Sequence, residues 1–165
     1  MIAKSYIQKN LKQLEARFSK AKTPKDNLYF SKLAVMELCG WVEVSLDDVV
    51  ERIIQQKLKE TKNKRDFSRD VIKRNWGFKY ENFRRMLTQA VGIIVVERIE
   101  KKVDQNVSAQ FQSGLGNLTT ARNSIAHTYI PGMQATIDAP SVTMARFNHL
   151  YDGLKEFERV IFKLI

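Results

Sequence analysis

Only three prolines and seven glycines punctuate 165 residues. An all-β sandwich or barrel needs a turn about every 8–12 residues, so this scarcity excludes that class and favours long helices. Hydrophobic residues make up 44% of the chain, enough to bury a core, and the length suits one domain over residues 1–165. The single cysteine, Cys39, excludes an internal disulfide framework and a cysteine-rich zinc module. With only two histidines, His127 and His149, a histidine-rich metal cage is not expected, nor is any cofactor. Met1 to Asn10 lacks the apolar stretch of a secretion signal. The longest apolar run, Ala90 to Val96, falls far short of the ~20 residues of a membrane span. These features lead us to expect a soluble, cytoplasmic chain with no membrane partner.

Apolar spacing places the helices. Ile7, Leu11, Leu14 and Phe18 recur at intervals of four, three and four, which predicts a first helix over about Lys4–Lys20. Thr23-Pro24 interrupts it, and Asp26 or Asn27 is the expected cap of a second, long helix reaching about Glu60. The charged stretch Lys57 to Lys64 reads as its exposed end or a turn, and a short helix over about Ser68–Trp76 precedes Gly77. The segment from Glu81 towards Val103 has a β-branched centre, Val91-Gly92-Ile93-Ile94-Val95-Val96. A lone strand has nothing to pair with, so a buried helix is expected there, with Gly92 marking a kink. Further helices are expected over Ser108–Thr128, nicked near Gly114-Leu115-Gly116, and over Ser141–Leu164. The predicted architecture is an all-α antiparallel bundle of about five helices.

Charge is concentrated. The net charge is +10, and Lys57 to Arg85 alone holds eleven basic against four acidic residues. Phe67, Trp76, Phe78, Tyr80 and Phe83 are interleaved. Such a stripe attracts phosphate backbones, so Lys62, Lys64, Arg65, Arg69, Lys73 and Arg74 are the expected RNA contacts. A solvated basic face whose rings pack inward fits the segment equally well. Trp41 and Trp76 are expected to pack in the core or at its edge rather than to stack on bases.

One constellation carries chemistry. Arg122, Asn123 and His127 lie within six residues, just before Pro131-Gly132. On a helix Asn123 and His127 share a face, and the long Arg122 side chain swings to the same edge. A histidine near a helix C-terminus feels the negative end of the dipole and titrates near physiological pH, where it serves as acid or base. Arginine grips phosphate oxygens with a planar fork. RNA cleavage by the ribose 2′-OH needs these parts: a base, a cation on the phosphoryl oxygens and an acid for the leaving 5′ oxygen. The plain alternative is a helix-capping histidine beside a surface ion pair, common by chance. His149 lacks polar companions of this kind and reads as structural, and Cys39 reads as a buried thiol rather than a nucleophile.

Arg122-Asn123-x-x-Ala126-His127, late in a small helical chain, resembles the R-x4–6-H motif of the HEPN superfamily. Gly116 to Ala121 before it and Ala34 to Asp47 are similar to the stand-alone prokaryotic defence branches. The resemblance implies a HEPN-like helical bundle and a metal-independent endoribonuclease of the toxin–antitoxin or anti-phage kind. It makes Arg122 and His127 the catalytic pair, with Asn123 beside them. An early-helix acid supports the site in such proteins; Glu43 is preferred over Glu37 and Asp47. It further implies a homodimer with two motifs across one cleft, RNA as substrate and a cognate antitoxin protein. A non-catalytic HEPN-type module that binds RNA or nucleotide, or pairs with an antitoxin, is the alternative.

Overall fold

The computed structural model describes residues 2–126 and 137–165. Among these there are seven α-helices and no strand: α1 (Ser5–Phe18), α2 (Pro24–Lys57), α3 (Thr61–Phe67), α4 (Tyr80–Val91), α5 (Ile93–Lys102), α6 (Gln105–Ala126) and α7 (Pro140–Leu164). The all-α expectation holds, with more helices than the five expected. Two boundaries account for the difference. Gly92, at φ 82°, breaks the expected 81–103 helix into α4 and α5. The basic tail after α2 folds as α3 and runs into a π-helical turn, Ser68–Ile72, where the Lys73 N–H donates to the Ser68 carbonyl at 2.9 Å. α6 runs unbroken through Gly114-Leu115-Gly116, so the expected nick is absent.

The cap of α2 is Thr23, not Asp26 or Asn27. Its hydroxyl oxygen accepts from the Asp26 N–H at 3.1 Å and its O–H donates to the Asp26 carboxylate at 2.8 Å. Pro24 takes the first helical position, where a missing N–H costs nothing.

α2 and α7 are the longest elements and share the core. Phe157 of α7 sits among Tyr80 and Phe83 of α4 and Phe111 of α6, at ring separations of 5.7, 6.2 and 5.3 Å. α6 approaches α7 closely because position 153 is glycine; a Cβ there would stand 2.7 Å from Phe111. Trp41 of α2 packs edge-on against Phe147 of α7 at 4.9 Å and donates from its indole to the Ala3 carbonyl at 2.8 Å, tying the N-terminal segment to the bundle. At the far end Arg52 of α2 reaches Glu158 of α7 at 2.6 Å. α4 and α5 are joined by Glu100, which accepts from Arg84 and from the Tyr80 hydroxyl, both at 2.8 Å.

The β-branched run is helical as expected but not wholly buried. Val96 and Ile99 face the core, whereas Ile93 and Ile94, in the first turn after Gly92, are exposed. No helix among the described residues is long and apolar enough to cross a membrane.

Candidate active site

α6 carries Arg122 and Asn123 in its last two turns. Asn123 is exposed, and Arg122 is half-buried against α2. His127 lies outside the described residues. The register between the two helices is fixed by Leu115, Leu118 and Ile125 of α6 and by Leu38, Val42 and Leu46 of α2, all core residues.

On α2 the partners form a row at intervals of four: Cys39, Glu43, Asp47, Glu51 and Gln55. Neighbours in the row stand one turn apart, but each step drifts about 40°, so Cys39, Glu43 and Asp47 are close in angle while Gln55 has swung to the other side. The Cys39 thiol feels both the Arg122 guanidinium and the Glu43 carboxylate through their charges. Burial pushes that thiol up to about 11, with Arg122 opposing and Glu43 adding to the rise. Cys39 is therefore a buried, protonated thiol at neutral pH, as expected. One turn further on, burial and then the neighbouring Glu43 raise the Asp47 carboxyl from 3.8 to about 6.

Among the described residues Arg122 makes no salt bridge, so its charge is not already spent on a carboxylate partner. Glu37, the other early-helix acid, accepts a hydrogen bond from Asn10 at 3.1 Å and belongs to the α1 contact. Asp47 is the early-helix acid with the raised carboxyl. Its spacing of four from Glu43 was visible, but its half-burial depends on how α2 seats in the bundle. Among the described residues no group of three or more His, Cys, Asp and Glu side chains is arranged to hold a metal ion.

The six basic residues expected to contact RNA divide into two sets. Lys64, Arg65, Arg69 and Lys73 line one groove of about 430 Å³ together with Glu51 and Gln55 of α2. Lys62 and Arg74 lie outside that lining, both exposed. Two of the cations are partly neutralised: Arg69 is held by Asp66 at 3.0 Å and Asp70 at 2.6 Å, and Arg74 stands 3.6 Å from Asp70. Lys64 donates to the Gln55 carbonyl at 3.0 Å. Arg65 and Lys73 make no salt bridge among the described residues.

One side chain stands elsewhere than the sequence led us to expect. Trp41 is packed, but Trp76 is 85% exposed, held out by the turn at Gly77. His149 is exposed and lines, with Arg146, Asn117 and Ser113, a groove of about 500 Å³ between α6 and α7.

An all-α bundle with Arg-Asn near the end of its penultimate long helix and acidic residues on a long early helix is the frame that the HEPN resemblance implied. The RiboL-PSP-HEPN family profile matches residues 3–165, and the chain belongs to this family of the HEPN superfamily. HEPN domains are often ribonucleases or nucleotide-binding modules. No curated protein and no solved structure matches the chain.

Proposed function

We propose that this protein is a metal-independent endoribonuclease, a single HEPN-like domain acting as a homodimer in a toxin or anti-phage role. The observation that carries the reading is Arg122: a half-buried cation with no salt bridge among the described residues, on the helix that bears the motif of a HEPN-family chain. A guanidinium so placed is available to a phosphoryl group.

The chemistry follows from the side chains. A histidine base removes the 2′-OH proton, and the 2′ oxygen attacks the adjacent phosphorus. The bond from phosphorus to the 5′ oxygen breaks as an acid protonates that oxygen, leaving a 2′,3′-cyclic phosphate and a 5′-OH. Arg122 neutralises the charge that builds on the non-bridging oxygens. Asn123 orients the imidazole, and Glu43 supports the guanidinium from α2. One motif supplies one His127, whereas the reaction needs both a base and an acid; a two-fold axis supplies two of each residue.

α2 offers the surface for that second copy. Tyr29, Leu33, Met36 and Val44 are exposed along one face, with Gly40 among them. A Cβ at Gly40 would meet nothing within 4 Å, so packing inside the chain gives this helix-interior glycine no return for the roughly 1 kcal/mol it costs relative to alanine. An antiparallel pairing of two α2 helices about Gly40 sets Met36 against Val44, Tyr29 against Glu51 and Leu33 against Asp47, whose carboxyl is raised to about 6. Glu37 meets Glu43 as a like-charge pair at the edge.

The alternative, a HEPN-type module that binds RNA or nucleotide, or pairs with an antitoxin, without cutting, is favoured by the basic groove, which stands apart from the motif. RNA digestion in excess chelator separates the readings. Cleavage leaving 2′,3′-cyclic ends, abolished in both Arg122→Ala and His127→Ala, supports the nuclease. Equal cleavage in the variants or strict dependence on added magnesium overturns it. Binding without cleavage by the wild type establishes the module.

A further inference from the structure

Trp76 is the most exposed of the large hydrophobic side chains, at 85%, and no ring or core contact among the described residues accounts for it. A tryptophan in water usually marks slack in a loop, but this loop has none. Ile72 before it and Phe78 after it are both buried, which pins the chain on either side. Between them the Asn75 N–H donates to the Ile72 carbonyl at 3.0 Å. The Asn82 amide donates to the Trp76 carbonyl at 3.0 Å and to the Asn75 side-chain oxygen at 3.3 Å. Arg85 donates to that same Asn75 oxygen at 2.9 Å. Gly77 takes φ 96°, turning the chain so that Phe78 goes in while Trp76 stays out. Three polar side chains from two elements thus fix the backbone of a residue whose own side chain packs against nothing.

The charge around the ring narrows the ligand. Lys73, Arg74, Lys79 and Arg85 surround it in sequence, against the single exposed acid Glu81. Asp70 is already paired with Arg69. Lys73, three residues before the ring, also lines the basic groove with Lys64 and Arg65. A rigid exposed indole beside cations suits a ligand with a flat aromatic face and a polyanionic backbone. A duplex hides those faces and a single strand presents them.

We propose that Trp76 is a stacking platform for an unpaired base of single-stranded RNA, whose phosphates follow Lys73 and Arg74 into the groove. This rests on the RNA reading above and adds to it a preference for single strands. The site is formed without His127 or Arg122.

The test is a titration with a single-stranded 2′-O-methyl oligoribonucleotide, which lacks the attacking hydroxyl, and with the same sequence as a duplex. The Trp76→Phe variant identifies the Trp76 share of the emission, because the other tryptophan, Trp41, is packed on Phe147. We expect the single strand to quench wild-type emission and the duplex to quench it little. Trp76→Ala should weaken single-strand binding roughly 5- to 150-fold, and Trp76→Tyr should restore most of it. The slope of log K against log salt should be unchanged in Trp76→Ala but shallower by about 0.7 in Lys73→Ala. As the ring makes no packing contact, Trp76→Ala should melt with the wild type. Undiminished single-strand affinity in Trp76→Ala, an equal loss for single strand and duplex, or loss only of a protein partner's binding overturns the platform. If wild-type protein binds no RNA even at low salt, the RNA reading falls first; retained RNA cleavage with an indifferent Trp76→Ala sinks the platform alone.

Discussion

Replacing Asp47 with asparagine should stabilise the fold, and only above a definite pH. Asp47 ionises near pH 6 in the folded chain rather than at 3.8, first because it is buried and second because Glu43 is beside it. That difference corresponds to about 3 kcal/mol against the charged form, reduced by solvent at a half-buried site to about 1–2 kcal/mol. The folded-state value lies above the unfolded one, so the folded state binds the proton more tightly. The stability this group contributes is full below about pH 4 and is lost as pH rises towards 6. Asparagine keeps the shape and removes the charge. Urea unfolding at about pH 4, 5, 6 and 7.5 should therefore show no difference between Asp47→Asn and wild type at the acid end. The variant should gain progressively to about pH 6 and level off above it. The gain should raise the midpoint of thermal unfolding by about 2–8 °C at neutral pH. A variant that is destabilised at pH 7.5, or whose advantage does not change with pH, would refute the placement of Asp47 against α2's buried flank and Glu43.

Phe157→Ala should cost about 3–5 kcal/mol in chemical denaturation, since it empties the space among Tyr80, Phe83 and Phe111. Thr143 is fully buried, and its hydroxyl has no partner among the described residues; Thr143→Val should be neutral or stabilising by up to about 1 kcal/mol in the same assay. Gly40→Ala should stabilise an isolated protomer by roughly 1 kcal/mol, and Gly40→Arg should convert a dimer to monomer in light scattering while leaving the helical circular dichroism intact. A dimer that tolerates Gly40→Arg would remove α2 from the interface.

The helices were legible because their apolar residues recur with helical period and little interrupts them. What escaped was local. α3, Thr61–Phe67, carries no apolar periodicity, so its helix was invisible against a charged tail. The cap at Thr23 was overlooked because Pro24 reads as a breaker, although a proline at the first helical position starts a helix. Trp76 was misplaced because a tryptophan carries a strong expectation of burial. Its exposure is decided by the sign of φ at Gly77 and by Asn82 reaching back across six residues. At the site, the motif and the early-helix acid were legible as residues. That the Cys39 thiol feels the charges of both Arg122 and Glu43 was not, because it depends on the seating of α6 on α2.

The length of α2 has a consequence for anything lying along it. Its 34 residues form one rod of about 50 Å, and the same rod supplies Glu43 to one site and Glu51 and Gln55 to the groove. Glu43 and Glu51 are eight residues apart, or about 12 Å along the axis. Eight residues also turn the helix by a net 80° or so, so the two carboxylates open on different flanks of the same rod. A kink anywhere between them would change both the spacing and the angle of the two regions they border.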